Sequence, residues 1–247
     1  MNDSKLRVVW VYPDLLSTYG DRGNVLVLQR RARQRGLEVE RIDVRSSEAI
    51  PSTGDVYLLG GGEDRPQRLA AERLCADSGL RRAHENRAII LGICAGYQIL
   101  GQQFVNDLGQ VQAGLGILDV TSTGGRTRSV GEIVAEPTPE LGLPTLTGFE
   151  NHMGVTQVGR TAKPLASLRL GHGNGVGDGT EGAWQDNIFG TYLHGPVLAR
   201  NPRFADLIIR LALDSGELPG LDDQWYEQLR QERLAEAEQR ASSARPA

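Results

Sequence analysis

The 247-residue sequence predicts an α/β fold, a doubly wound and mostly parallel sheet with antiparallel additions in its second half. Three observations carry this. Short apolar, β-branched runs alternate with helix-compatible segments over roughly the first hundred residues. Two of those runs end in glycine-rich turns, at the sheet edge where open α/β proteins place their ligands. Beyond Gly101 the pattern changes to short β-like runs with frequent glycine, which suits hairpins added to the parallel sheet or forming a smaller second one.

Residues 6–12 (Leu-Arg-Val-Val-Trp-Val-Tyr) form the first expected strand. A helix follows over 25–35, where Val25, Leu26, Leu28 and Ala32 have helical apolar spacing and Gly36 supplies a stop. Between them, Tyr19-Gly20-Asp21-Arg22-Gly23-Asn24 sets two glycines and an Asx pair ahead of a helix, a pattern equally suited to a capped turn and to the mouth of a site. Further strands are expected over 37–44 and 55–59, the latter ending in Gly60-Gly61-Gly62-Glu63-Asp64. The amides of such a loop can approach a ligand closely, which makes it a candidate oxyanion hole. A helix over about residues 66–79 leads to the next strand and completes four β/α units.

That strand, Ala88-Ile89-Ile90-Leu91, runs into Gly92-Ile93-Cys94-Ala95-Gly96 and then into an apolar, helix-compatible segment from Tyr97. Cys94 thus occupies a sharp strand-to-helix turn, a nucleophile elbow, with glycines two residues to either side. The amides of the following helix favour thiolate over thiol. A small buried cysteine would have no use for this arrangement.

The second half has β-like runs at 116–120, 131–134, 148–152 and 167–170, and residues 171–182, with six glycines, are expected as an exposed loop. An alternating apolar strand over 187–193 delivers His194 just before Gly195-Pro196, which stops it. A strand-end histidine is ordinarily solvated or capping; beside an elbow cysteine it becomes a candidate general base. His84 falls in a charged helix end, His172 in the glycine loop, and His152 suits a site wall. An amphipathic helix is expected over 202–215, and a last helix from near Leu221 carrying Trp225 and Leu229 at i, i+4 spacing. Beyond Arg230 the sequence is almost wholly Gln, Glu, Arg and Ala, as in a solvated helix fraying into a disordered tail over 241–247.

Composition narrows the class. At 39% hydrophobic content the chain can bury a substantial core as one domain or one domain with an appendage. Cys75 and Cys94 make no disulfide framework, the amino terminus has no signal-peptide pattern, and no apolar run is long enough for a membrane span; a reducing cytoplasm is expected. A net charge of −4 and a pI of about 5.7 argue against broad electrostatic binding to nucleic acid. No Gly-Lys-Ser/Thr follows the triple glycine and no Rossmann spacing occurs, so no ATP, other cofactor or metal is expected on this chain.

The stretch Gly92-Ile93-Cys94-Ala95-Gly96-Tyr97-Gln98, preceded by the glycine loop and followed by Thr191-Tyr192-Leu193-His194-Gly195, resembles the class I (triad-type) glutamine amidotransferases. It is most similar to their branch of cobyric acid synthases and GatD-type glutaminase subunits of lipid II isoglutaminyl synthases. The resemblance runs from the Tyr19-to-Asn24 motif to His194 and implies a flavodoxin-like amidotransferase domain over 1–220, with 221–247 as C-terminal helix and tail. It implies hydrolysis of L-glutamine to glutamate and ammonia, with Cys94 attacking the side-chain carbonyl and His194 moving the proton. The amides of Ala95 and of Gly61 or Gly62 would hold the oxyanion, Arg128 would grip the α-carboxylate, and Gln98 would line the same pocket. Arg126 is the local competitor for Arg128.

Many class I members carry His-X-Glu, whereas Gly195 and Pro196 follow His194 here. The acid that orients His194 is then elsewhere on this chain, with Glu150 and Asp21 as candidates, or on another subunit, and a partner subunit is the expected source. Because the chain starts at the glutaminase's first strand, the resemblance implies a separate heterodimer partner, a MurT-type, Mur-ligase-like synthetase that binds ATP and amidates the D-glutamate of lipid II to D-isoglutamine for the peptidoglycan cell wall. Corrinoid amidation, or a non-catalytic glutamine-binding regulatory module, are the alternatives.

Overall fold

The computed structural model of the chain describes residues 5–18, 20–106 and 108–243. Tyr19 of the expected loop motif and the last four residues of the expected tail lie outside that description. The first half contains β1 (Lys5–Val11), α1 (Arg22–Arg33), β2 (Glu38–Val44), β3 (Val56–Leu59), α2 (Asp64–Ala76), α3 (Gly79–Glu85), β4 (Ile89–Ile93) and α4 (Ala95–Leu100). The second contains β5 (Gln103–Val105), β6 (Val111–Ala113), β7 (Val120–Pro137), β8 (Leu146–Val158), β9 (Ala166–Leu170), β10 (Thr180–Glu181), β11 (Ala183–Gln185), β12 (Ile188–Thr191), α5 (Val197–Arg200), α6 (Pro202–Ala212) and α7 (Gln224–Ser243).

The central sheet has the order β11-β12-β4-β3-β1-β2 and is parallel except for β11 at its edge. Val-Tyr-Leu-Leu in β3 and Ile-Ile-Leu-Gly-Ile in β4 are buried at every position, as strands covered on both faces must be. The stripes of α1 (Val25, Leu28, Ala32) and α6 (Phe204, Leu207, Ile208) supply part of that cover. The doubly wound parallel sheet and its antiparallel second half are as the sequence predicts. A second sheet, β10-β9-β7-β5-β6 with β8 on the other side of β7, is dominated by the long β7/β8 ribbon, whose register shifts between Gly124 and Ser129.

Several elements differ from expectation. The crossover from β2 to β3, residues 45–55, contains no helix, so the four β/α units are incomplete at that step. The helix expected over 66–79 is two helices, because Asp77 turns the chain into extended backbone and accepts from the amides of Gly79 (2.5 Å) and Ile50 (3.0 Å). Residues 116–119 are not in a strand. The glycine loop is not wholly exposed: Gly173, Asn174 and Gly175 are buried, and Asn174 donates to the carbonyl of Gly182 (2.9 Å) and accepts from Tyr97 Oη (3.2 Å). In α7, Trp225 and Leu229 point to solvent, and the helix docks instead through Leu234 and Ala237 onto Val134 and Leu170.

Arg31, on α1, ties the carboxyl-terminal region to the sheet. Its buried guanidinium donates two bonds of 2.7 Å to Asp206 on α6 and two of 2.7 and 2.8 Å to Asp223 just before α7. Arg31→Met would strip the poorly solvated Asp223 of its hydrogen-bonded cation and leave Asp206 to Arg35, 3.0 Å away. The expected loss is about 3–5 kcal/mol, read as a lower urea midpoint.

Candidate active site

The elbow forms as predicted. Cys94 lies between β4 and α4 with φ 51° and ψ −102°, a conformation that costs energy for any residue with a Cβ and persists only where the surroundings enforce it. Its N–H donates to Thr191 O on the neighbouring strand (2.8 Å), and its carbonyl accepts from Gln98 N (3.1 Å). A Cβ on Gly96 would fall 2.5 Å from the Leu59 carbonyl oxygen, so only glycine lets α4 close onto β3. The cysteine is 9% exposed and lines a cavity of about 340 Å³.

His194 stands three residues beyond β12. Its backbone exchanges two hydrogen bonds with Phe149 on β8 (2.8 and 3.1 Å), and the preceding segment is held by the buried Glu181, which accepts from the Thr191 hydroxyl and from Tyr192 N (2.9 Å). Burial pushes the Glu181 carboxyl up to about 7, against the pull of those donors. Behind the imidazole is Asp21, with Oδ1 3.7 Å from His194 Nδ1 and Oδ2 accepting the Gly61 N–H at 2.5 Å. Both side chains are buried. Three groups converge on Gly61: an added Cβ there would lie 2.9 Å from His194 Cε1, 3.3 Å from Asp21 Oδ2 and 3.7 Å from Cys94 Cβ. Burial alone would lower the His194 pKa, but its interactions with Asp21 and with Cys94 outweigh this and raise it to about 10.

Of the acids the sequence offered, it is Asp21 that faces His194. Asp21 precedes α1 but makes no side-chain cap bond, so the loop serves the site rather than a capped turn. Glu150 is committed elsewhere, accepting from His172 Nδ1 (3.0 Å) and the amides of His172 and Gly173 and lying 3.4 Å from His152 Nε2. Burial would raise its carboxyl; those donors hold it below the usual range.

The two glycines expected at the oxyanion hole differ in their surroundings. The N–H of Gly61 is spent on Asp21, and Gly61 does not line the cavity. Gly62 does, and an added Cβ there would come within 3.7 Å of Ala95 Cβ, so its backbone adjoins the first residue of α4. Gly62 and Ala95 therefore adjoin beside the cavity, and Gly61 does not share that position.

Arg128 lies in the register shift of the β7/β8 ribbon, lines the cavity, and donates through Nη1 to Asn151 Oδ1 at 2.7 Å. Arg126 is exposed and does not line it. Gln98 lines the floor one helical turn beyond Cys94. His152 is a wall residue, its ring stacked on Tyr192 at a centroid distance of 3.8 Å and its Nδ1 2.9 Å from Gly154 O. His84 is remote, bonded to Asn187. If Arg128 holds a carboxylate, Arg128→Ala should raise KM for glutamine roughly 10- to 100-fold with a much smaller change in kcat, as measured by glutamate release.

An elbow cysteine, a buried histidine and carboxylate, and two adjoining amides beside a cavity are arranged for acyl transfer. Residues 7–202 match the CobB/CobQ-like glutamine amidotransferase domain. The chain belongs to that family. It is therefore a glutamine amidotransferase, an enzyme rather than a regulatory module. The chain is 35% identical over 217 residues to the lipid II isoglutaminyl synthase (glutamine-hydrolyzing) subunit GatD of Staphylococcus aureus strain N315, covering 87% of each. It is 33% identical to the subunit of the same name from Streptococcus pneumoniae strain R6, covering 94% of this chain and 90% of that one. Among solved structures, a glutamine amidotransferase superposes with a TM-score of 0.57 at 19% identity, over 83% of this chain and 98% of that one, which confirms the fold.

Sequence reasoning named Cys94, His194, Arg128, Gln98, Gly62 and Ala95, and the structure gathers all six around one cavity or directly behind it. It did not find Gln67, Asn151 or Ser122 in the cavity wall. A glutamine one turn into α2 and single polar residues on long strands carry no local signal.

Proposed function

We propose that the amidotransferase works through Cys94 and His194. The sulfur attacks the glutamine side-chain carbonyl, the amides of Gly62 and Ala95 hold the tetrahedral oxyanion, and His194, which keeps its proton through neutral pH, delivers it to the departing ammonia. Asp21 holds the imidazole in line through Nδ1. Water, deprotonated by His194, then resolves the glutamyl thioester to glutamate. The observation that carries this reading is the convergence of Cys94, His194 and Asp21 on Gly61.

The ammonia is used, on this proposal, in the amidation of lipid II, as the names of the two relatives state for them. Both are named as subunits, and the chain is similar to them over nearly its whole length. The partner proposed is a MurT-type synthetase that binds ATP, activates the D-glutamate carboxyl of lipid II and takes up the ammonia at the cytoplasmic face. On this proposal the chain meets lipid II through that partner; among the described residues no helix is long and apolar enough to cross a membrane. Copurification with its synthetase, followed by glutamine- and ATP-dependent amidation of lipid II, tests the reading. Amidation of a corrinoid acid instead would overturn it.

A further inference from the structure

A line of buried hydrogen bonds runs beneath the cavity from one wall to the other. Gln67 Nε2 on α2 donates to Gln98 Oε1 on α4 at 2.6 Å, and Gln98 Nε2 donates to Tyr192 Oη at 3.0 Å. The hydroxyls of Tyr192, Thr156 on β8 and Ser122 on β7 continue it in two steps of 2.7 Å. Gln67, Gln98 and Ser122 open onto the cavity, and all five residues are otherwise buried.

The carboxamide of Gln98 has two ends of nearly the same shape and opposite hydrogen-bonding sense. It has no room to move aside, since an added Cβ on Gly154 would lie 2.0 Å from its Nε2, but it can turn over in place. On the Tyr192 side its neighbour is a hydroxyl, which donates or accepts with equal ease and passes either choice along the hydroxyls of Thr156 and Ser122. That side imposes no direction. On the other side Gln67 donates, and that bond engages the Oε1 end.

Resting on glutamine as the substrate, we infer that Gln67 is a positioning residue: by donating to Gln98 it holds the Gln98 carboxamide the way round in which it meets the amino acid beside Cys94. A carboxylate in place of Gln67 can only accept, so Gln67→Glu turns the Gln98 amide over at almost unchanged volume. Gln67→Met removes the bond and leaves both orientations open.

The test uses the full chain and two reagents for Cys94, the glutamine analogue 6-diazo-5-oxo-L-norleucine and the small alkylator iodoacetamide. Gln67→Glu should raise the half-saturating concentration of the analogue about tenfold or more, and Gln67→Met should raise it less. The iodoacetamide rate should stay within about twofold, because the nucleophile itself is untouched. In a Gln98→Ala background, Gln67→Glu should add nothing, since its effect passes through Gln98. Unchanged labelling by the analogue, equal slowing of both reagents in both Gln67 variants, or additive effects with Gln98→Ala would overturn the assignment. A native chain that the analogue does not label saturably would instead overturn glutamine as the substrate, and this inference with it.

Discussion

Cys94→Ala protein should release glutamate more slowly than the native chain by about 10⁴-fold or more in an assay coupled to glutamate oxidation. The substitution removes the nucleophile and leaves the Gly62 and Ala95 amides, Arg128 and the cavity in place, so binding and the residual catalysis of the oxyanion hole survive. It should also leave the fold intact. The sulfur lines a cavity, and alanine keeps the Cβ that the elbow already accommodates at φ 51°. A loss of activity can then be assigned to chemistry, provided the urea midpoint is unchanged. An unaltered rate would remove Cys94 from the mechanism.

Asp21→Asn is the second large effect, a fall in kcat of roughly 10²- to 10⁴-fold. Asparagine can still accept the Gly61 N–H but offers His194 no charge. The imidazole then loses its orientation and one of the two interactions that hold its pKa near 10. The pH dependence follows in sign. An unfolded imidazole titrates near 6.5, and His194 keeps its proton in the fold up to about 10. Below 6.5 both states are protonated and the stabilisation is complete. Between 6.5 and 10 the folded state binds the extra proton, so stability declines as pH rises and the contribution is gone above 10. Urea midpoints measured at pH 6.5 and 9.5 should therefore fall more steeply in the native chain than in Asp21→Asn, whose His194 pKa is lower. Native rates in the Asp21 variant would return the orienting role to another group, a second subunit included.

Local pattern was enough for the elbow, for the alternation that builds the parallel sheet, and for His194 at the end of its strand. Each is a contiguous signature in which chain direction, glycine and apolar period agree. The acid behind His194 was expected from a partner subunit, with Asp21 and Glu150 as the candidates on this chain, and Asp21 faces the imidazole because its loop folds back across the sheet edge to Gly61. The same contact occupies the Gly61 N–H. Residues 171–182 read as solvated from their glycines, yet Asn174 is buried, its side chain accepting from Tyr97 Oη on α4 and its carbonyl from Thr156 N on β8. The apolar pair Trp225 and Leu229 was the visible stripe of α7, and the surface that receives the helix selected Leu234 and Ala237.

The order of residues therefore carries the chemistry of this chain: a cysteine on a strained turn, a histidine behind it, and the amidotransferase family they belong to. Tertiary structure decided the partners of those groups, namely the acid behind His194, the glycine bonded to that acid, and the glutamine that donates to Gln98. The reason is physical. An elbow is determined by dihedral angles within five residues, from Gly92 to Gly96, whereas a hydrogen bond between positions 21 and 61, or 67 and 98, exists only once the sheet and its helices have brought distant segments to contact distance.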